Sequence, residues 1–351
     1  MAGIDPHYSK RESMLEAVKS VIGQPVLTRS LTRAGGRSGP VVAVLCYHDL
    51  REDGDFRNWL RLSVTDFDRH LTWLGRVARF IAPEDLDAPE RLAHDRLNVM
   101  LTFDDGYVNN LKLALPLLEA HRAPALFFVS THPVQEQRPF WPDLVLTPVQ
   151  ALRLERLDLT AFGFADYRFR AADDGDRWED LERLLVDLKR VGNPDHPRVA
   201  GALAHINGLH GAATAGHLQR FRPLTEDEVR ELARSPWARV GSHSHDHVLL
   251  TYLDDEALAM NLTESRRILA GLTGSLPSDL AYPNGTWDAR VAAATREAGY
   301  TRAWTSSPGL FTPVTPRMAL PRLMVGGYDS LGVLGFVLNK QLALGLASPR
   351  R

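Results

Sequence analysis

The chain of 351 residues contains a single cysteine, Cys46. One thiol cannot form a disulfide within the chain, so cysteine usage gives no sign of an oxidising compartment. A chain of this length buries a hydrophobic core that needs no covalent cross-link. We therefore exclude a small disulfide-stabilised domain.

The sequence also lacks long hydrophobic runs. No stretch approaches the roughly 20 apolar residues of a membrane-spanning helix, and the N-terminal residues lack the apolar segment of a signal peptide. The most apolar segment, Leu331 to Ala347, contains Asn339, Lys340 and Gln341 and is typical of an amphipathic closing helix. We expect a cytoplasmic protein without a transmembrane segment.

Neither sign of charge is in excess. The chain has 41 Lys and Arg against 43 Asp and Glu, a formal net charge of −2. Nothing in this balance favours nucleic acid or an anionic membrane as a partner. The evidence for function must therefore come from local motifs.

Apolar runs predict the strands of the fold. Residues 41–47, 98–103 and 124–129 are typical of parallel strands that are buried on both faces. Helical patterns fill the intervals, and Thr65 and Asp68 have the spacing of a capping box. About seven strands alternate with helices, which predicts an α/β fold with a parallel, TIM-like barrel.

The same patterns divide the chain into segments. Residues 1–40 indicate a short helix followed by a basic linker, 41–330 the barrel, and 331–351 the C-terminal helix. Residues 133 to about 222 are polar and helical in pattern. We interpret this stretch as a helical insertion or lid on the barrel.

Polar and titratable residues follow the ends of the predicted strands. His48 follows the first strand, Asp104 and Asp105 follow the second, and residues 243–247 and 282–285 follow two later ones. In a parallel barrel these ends share one face, where the βα loops form the active site. The sequence therefore predicts one site.

Two motifs carry most of the chemistry. In TFDDGY, the adjacent carboxylates of Asp104 and Asp105 repel each other unless a cation neutralises them, although a solvated turn is the alternative. In GSHSHDH, His243 and His247 are four residues apart and together with Asp105 offer two imidazoles and a carboxylate. Such a set leaves positions for water and substrate, as in metal-assisted hydrolysis; a polar surface loop is the alternative.

TFDDG, HSHDH and YPNG, in this order, resemble the motifs of the polysaccharide deacetylase family (carbohydrate esterase family 4, the NodB-homology domain). The resemblance extends over about residues 41–325. It implies a distorted (β/α)7 barrel and metal-dependent removal of N-acetyl groups from amino sugars of a poly- or oligosaccharide.

The resemblance also implies a role for each motif residue. Asp104 would be the general base, and Asp105, His243 and His247 would bind the metal. That metal would be zinc, with cobalt, nickel or iron fitting the same ligands. The turn of Tyr282, Pro283 and Asn284 would contact the substrate, with a backbone N–H near Asn284 holding the oxyanion.

The general acid is where this sequence departs from the family pattern. Family members carry an Arg in the third motif, where Ala281 stands here, and a late Leu-x-His, where residues 320–322 read Leu-Pro-Arg. An arginine does not donate a proton at neutral pH. His48 is the first candidate for the acid and His245 the second, while Arg322 would orient Asp104.

Three other interpretations stay open. HSHDH is similar to the H-x-H-x-D-H loop of metallo-β-lactamase-like proteins, but it is one residue too short and follows the Asp pair in the wrong order. A barrel that binds glycans without turnover would explain the missing late histidine. A deacetylase of a small acetylated metabolite or an O-acetyl ester would use the same chemistry.

Overall fold

The computed structural model describes residues 24–36, 39–170 and 174–347. The strands, in chain order, are β1 (Val42–Tyr47), β2 (Asp49–Arg51), β3 (Arg61–Ser63), β4 (Ala78–Phe80), β5 (Leu97–Phe103), β6 (Ala125–Val129), β7 (Arg156–Asp158), β8 (Asp166–Arg168), β9 (Ala238–Ser242), β10 (Asp279–Ala281), β11 (Arg302–Trp304) and β12 (Leu323–Met324).

The helices surround the main sheet and continue into the segment between β6 and β9. They are α1 (Pro25–Gly36), α2 (Val64–Val77), α3 (Leu115–His121), α4 (Thr131–Glu136), α5 (Trp141–Ala151), α6 (Asp174–Val191), α7 (Pro197–Arg220), α8 (Glu226–Arg234), α9 (Asp255–Thr273), α10 (Ala289–Glu297) and α11 (Leu331–Ala347). A π-helical turn, Asn110–Ala114, leads into α3.

The main sheet is parallel and curls into a barrel. Its strand order is β11-β10-β9-β6-β5-β1-β12, and β4 pairs with the N-terminal half of β5. The segment that precedes β12 closes the barrel, since Leu320 bridges to Trp304 of β11. The fold is the predicted distorted (β/α)7 barrel.

The central strands are buried along their whole length, which is why their sequences are apolar on both faces. Every residue of β1, β5 and β6 is buried. On the face of the sheet that the helices cover, the ring of Phe103 stacks on that of Phe127 at 5.0 Å and on that of Tyr47 at 5.4 Å. This aromatic layer supports the strand ends that carry the candidate site.

The segment between β6 and β9 has a hydrophobic cluster of its own. Helices α5, α6 and α7 pack around it, and its members include Val149, Leu181, Leu184, Leu188 and Ile206. The antiparallel pair β7–β8 completes this layer. The segment therefore forms a packed body beside the mouth of the barrel.

Two local predictions are wrong. Most of the predicted linker is α1, because Thr28 and Thr32 are buried on one face of a helix and Thr32 Oγ1 donates to the Thr28 carbonyl at 2.8 Å. Helix α2 is capped by Ser63, which accepts from the Asp66 N–H, and not by Thr65. The helix predicted before the linker falls on residues 1–23, which lie outside the described residues.

The C-terminal helix α11 covers residues 331–347 and buries Leu334, Leu338 and Leu342. It packs against α1 and α2. Within residues 24–36, 39–170 and 174–347, no helix combines the length and the apolar character that crossing a membrane requires.

We predict that Phe127→Ala lowers the free energy of unfolding by about 3–5 kcal/mol, because it leaves a cavity in the aromatic layer. Urea unfolding followed by circular dichroism measures this loss. Val314→Ala is the control, since that side chain is 90% exposed and the change should stay within about 0.5 kcal/mol. Equal stability of the two variants would contradict the packing described above.

Candidate active site

A cavity of about 360 Å³ opens at the carboxyl ends of the parallel strands. Eight of the ten site residues that the sequence singled out line it: His48, Asp104, Asp105, His243, His247, Pro283, Asn284 and Arg322. His245 does not line it, and neither does Tyr282. Its side chain is buried and donates to the Met318 carbonyl at 3.0 Å.

The turn after β5 requires an unusual backbone. Asp105 has φ of 75° and Gly106 has φ of 88°, both in the left-handed region. A Cβ on Gly106 would also lie 3.1 Å from the Val129 side chain. Glycine is therefore needed there, and the turn sends the two carboxylates into the cavity.

Asp104 is held by Arg322 through both of its oxygens. The guanidinium donates to Asp104 Oδ1 at 2.6 Å and to Oδ2 at 2.7 Å. Arg322 also donates to the Thr305 carbonyl at 2.9 Å, and both side chains of the pair are buried. This bidentate pair fixes the orientation of the carboxylate.

The same pair keeps Asp104 ionised. Burial alone would raise the pKa of Asp104, but Arg322, followed by His243, holds it below its ordinary value. At neutral pH the carboxylate is therefore charged and has lone pairs available to accept a further proton.

Three other side chains converge beside Asp104. Asp105 Oδ1 lies 3.2 Å from His243 Nε2 and 3.1 Å from His247 Nε2. Two ligands of a tetrahedral zinc ion are separated by about 3.3 Å, given bonds of roughly 2.0–2.1 Å. The three donor atoms are thus spaced as ligands of one ion.

Outer contacts orient these donors. His243 Nδ1 lies 2.8 Å from the Ala281 carbonyl, which places the proton on Nδ1 and leaves Nε2 free as a ligand. Ser244 Oγ accepts from the His247 N–H at 3.1 Å and so supports the loop. The donor set and its supports fit a divalent transition metal.

Of the two remaining histidine candidates, only one lines the cavity. His48 lines the cavity, and a ligand atom of its ring lies within 4.8 Å of the Asp104 carboxylate. Burial lowers the pKa of His48, opposed by Asp105 and Asp104. His245 does not line the cavity; its Nδ1 lies 2.7 Å from Thr131 Oγ1, next to His132.

The YPNG turn offers one free backbone donor. Pro283 has no N–H, the Tyr282 N–H donates to the Trp304 carbonyl, and the Gly285 N–H donates to the Tyr282 carbonyl. Among the described residues, no acceptor for the Asn284 N–H is found. Asn284 has φ of 57°, and a Cβ on Gly285 would clash with Ser306.

Aromatic side chains form part of the cavity wall. Phe140 and Trp141 line the cavity, and the Phe140 ring packs against that of His247 at 5.2 Å. Trp287 lies outside it, stacked on Tyr282, and Trp304 is in the core. Trp59, which also lines the cavity, was not predicted from the sequence.

A buried polar network under the cavity was not predicted either. Arg61 contacts Asp49 at 3.2 Å and Asp143 at 2.5 Å, and the Tyr107 hydroxyl donates to Asp143 at 2.8 Å. These four residues belong to three distant parts of the chain, so no local pattern connects them. The network links the β5 turn to α5.

Comparisons with known proteins give matches to polysaccharide deacetylases. The family model described as polysaccharide deacetylase matches residues 93–161 and 198–303. The chain is 19% identical over 291 residues to the YxkH protein of Bacillus subtilis (strain 168), whose name places it among the polysaccharide deacetylases. This match covers 80% of the chain and 70% of that protein.

Solved structures share the fold. The Streptococcus pyogenes deacetylase PplD, solved in complex with acetate, has a TM-score of 0.54 at 16% identity, over 84% of this chain and 97% of that one. IcaB from Ammonifex degensii has a TM-score of 0.53 at 18% identity, over 86% of this chain and 98% of that one. At these identities the likeness establishes the fold alone.

We predict that Arg322→Met lowers the free energy of unfolding by about 3–5 kcal/mol at pH 7, because it leaves Asp104 buried without its partner. Asp104→Asn combined with Arg322→Met should restore part of this loss. Urea unfolding of the two single variants and the double variant gives the coupling energy. Strictly additive effects would contradict an energetic link between the two side chains.

Proposed function

The chain belongs to the polysaccharide deacetylase family, and from this premise we propose that it hydrolyses the N-acetyl group of an amino sugar in a poly- or oligosaccharide. The proposal rests on one observation: the two adjacent carboxylates have different charged neighbours. Asp104 is held by a guanidinium, and Asp105 faces two imidazoles. One is thus suited to take a proton and the other to bind a cation.

Asp105, His243 and His247 would hold the metal in this proposal. Zinc suits two histidines and one carboxylate, and cobalt, nickel or iron accept the same donors. When bound, such an ion supplies Lewis acidity, polarising an acyl oxygen and lowering the pKa of a coordinated water.

Asp104 would act as the general base. Its carboxylate is ionised at neutral pH and is fixed by Arg322, so it takes the proton from the water as the water oxygen attacks the acyl carbon. Arg322 orients the base, a task that a third-motif arginine has in family members. The Asn284 N–H would donate to the acyl oxygen as negative charge develops on it.

His48 would donate the proton that the leaving amine needs. Its lowered pKa means that the imidazole is mostly neutral at pH 7 and first has to take up a proton. Asp104, which holds the proton taken from the water, is a nearby source. When the C–N bond breaks, the amine receives this proton and acetate is released, with one water consumed.

We predict that the protein, reconstituted with zinc and dialysed, holds one ion per chain. Asp105→Ala should lose that ion, because only two imidazoles remain. His245→Ala is the matched control from the same loop and should retain it, since His245 lies outside the cavity. Elemental analysis measures the stoichiometry, and an ion retained by Asp105→Ala would contradict this ligand set.

We predict that the metal-loaded protein releases acetate from N-acetylglucosamine oligomers, and that Asp104→Asn lowers kcat by at least about 100-fold. Asp246→Asn, a change in the histidine loop at a side chain that does not line the cavity, should leave kcat within about twofold. Metal content is measured for each variant, so that loss of the base is separated from loss of the ion.

Other outcomes have definite meanings. Release from O-acetylated but not from N-acetylated glycans would replace the proposed amide hydrolysis with ester hydrolysis. No release from any acetylated glycan, despite a full metal site, would contradict the proposed enzyme and favour a glycan-binding barrel.

We predict that His48→Gln affects amides and activated esters differently. An amine must be protonated to leave, whereas p-nitrophenolate leaves without a proton. The variant should therefore lose about 100-fold in kcat on the N-acetylated oligomer and only severalfold on p-nitrophenyl acetate. Equal losses on both substrates would show that His48 is not the general acid.

A further inference from the structure

Helix α6 lies in a part of the chain that the family model does not match. The two matched blocks end at residue 161 and resume at residue 198, and α6 occupies residues 174–191. Even so, Leu185 and Lys189 of α6 line the active-site cavity. This chain thus builds one wall of its active site from a segment that the family model leaves out.

A second cavity, of about 440 Å³, continues from the first along α6. The two cavities share five lining residues: Trp59, Leu185, Lys189, Leu249 and Asn284. The far wall comes from Thr251 and Tyr252, which follow the histidine motif. Together the cavities form a cleft with room for a second group beside the reacting one.

The walls of this second cavity suit a sugar ring. The rings of Trp59 and Trp178 lie 5.6 Å apart, and Tyr252 is 54% exposed. Aromatic side chains with one face accessible pack against flat, amphipathic partners and retain polar contacts at their edges.

Lys189 gives the cleft a positive charge where the two cavities meet. Its Nζ donates to Asn284 Oδ1 at 2.7 Å, and the side chain is half-buried. Among the described residues, no carboxylate lies within 4 Å of it. Burial lowers the pKa of Lys189, with Asp105 and Glu182 opposing at longer range. A partly desolvated ammonium that is paired only with a neutral amide is unfavourable by itself. It becomes favourable when a ligand supplies an anion to pair with it.

The other residues that line the second cavity do not neutralise the charge of Lys189. Lys189 and Arg190 line it, together with one carboxylate, Glu182. Arg190 lies 3.9 Å from Asp187, which does not line the cavity, so the positive charge that faces a ligand comes from Lys189. Because Lys189 contacts the turn that carries the Asn284 N–H, the cation lies directly beside the position assigned to the acetamide. An anion at Lys189 would therefore belong to the sugar next to the one that reacts.

We propose that α6 adds a subsite for an acidic sugar, in which Lys189 binds the carboxylate of a uronic acid that flanks the N-acetylated residue. This assignment rests on the proposed deacetylase function and names its substrate class. The aromatic pair Trp59 and Trp178 borders the ring, and the ammonium binds the carboxylate by a charge-assisted hydrogen bond.

The test compares two tetrasaccharides, one alternating glucuronic acid with N-acetylglucosamine and one made of N-acetylglucosamine alone. Binding to zinc-loaded Asp104→Asn protein is measured by calorimetry, which requires no turnover. We expect the acidic tetrasaccharide to bind at least about tenfold more tightly, with a preference that weakens as salt is added.

Variants of α6 test whether Lys189 causes this preference for the acidic tetrasaccharide. Added to Asp104→Asn, Lys189→Met should abolish it and Lys189→Arg should keep most of it. Arg183→Met is the matched control, an exposed cation on the same helix that lines neither cavity. No preference for the acidic tetrasaccharide, or a preference that Lys189→Met leaves intact, would overturn the subsite.

Acetate release by the unmodified protein separates the two proposals. Release from both tetrasaccharides with equal kcat/KM would leave the deacetylase standing and contradict the acidic subsite. Binding of the acidic tetrasaccharide that depends on Lys189, without acetate release from either compound, would support the subsite and contradict the proposed activity.

Discussion

The contact between Asp104 and Arg322 is the interaction on which the arrangement of the site depends. It joins the end of β5 to the residue before β12, and the same guanidinium donates to the Thr305 carbonyl beyond β11. One buried cation thus ties together three strands at the point where the barrel closes. Removing either partner would leave an uncompensated charge in the interior. The same contact therefore closes the barrel and positions the carboxylate of Asp104.

Around this contact the backbone is strained in the loops that carry the donors. Asp105, Ser244, His247 and Asn284 all have positive φ, a conformation that residues other than glycine seldom adopt. Each such residue costs about 1 kcal/mol or more and persists only where its surroundings fix it. The hydrogen bonds from His243 to the Ala281 carbonyl and within the histidine loop provide that support. The site is therefore preorganised at the expense of local stability.

The features that could be predicted from the sequence are those that local residue patterns determine. The strands β1, β5 and β6 were predictable because they are buried on both faces and so read as apolar runs, and the grouping of Asp105 with the histidines follows from parallel strands sharing one edge. Residues 27–36 were misread as a linker because their Thr and Arg residues give no apolar helical pattern, and the helix becomes buried on one face through packing against α11 and α2. The Arg61 network and Lys189 had no local signal, since their partners are far away in the sequence. Periodicity also could not tell that His48 faces the cavity while His245 faces away.

The separate hydrophobic cluster of α5, α6 and α7 has a consequence for how such a protein diversifies. Because that cluster is distinct from the clusters that pack the barrel, the side chains of α6 and α7 that belong to it can change without altering the packing of the strands that carry the carboxylates and imidazoles. Helix α6, which the family model does not match, is then the exchangeable part of the segment, and a different helix there would alter which glycans reach the reactive centre. Helix α5 is tied to the turn after β5 through Asp143 and Tyr107, and α8 packs in the barrel core, so both have to stay.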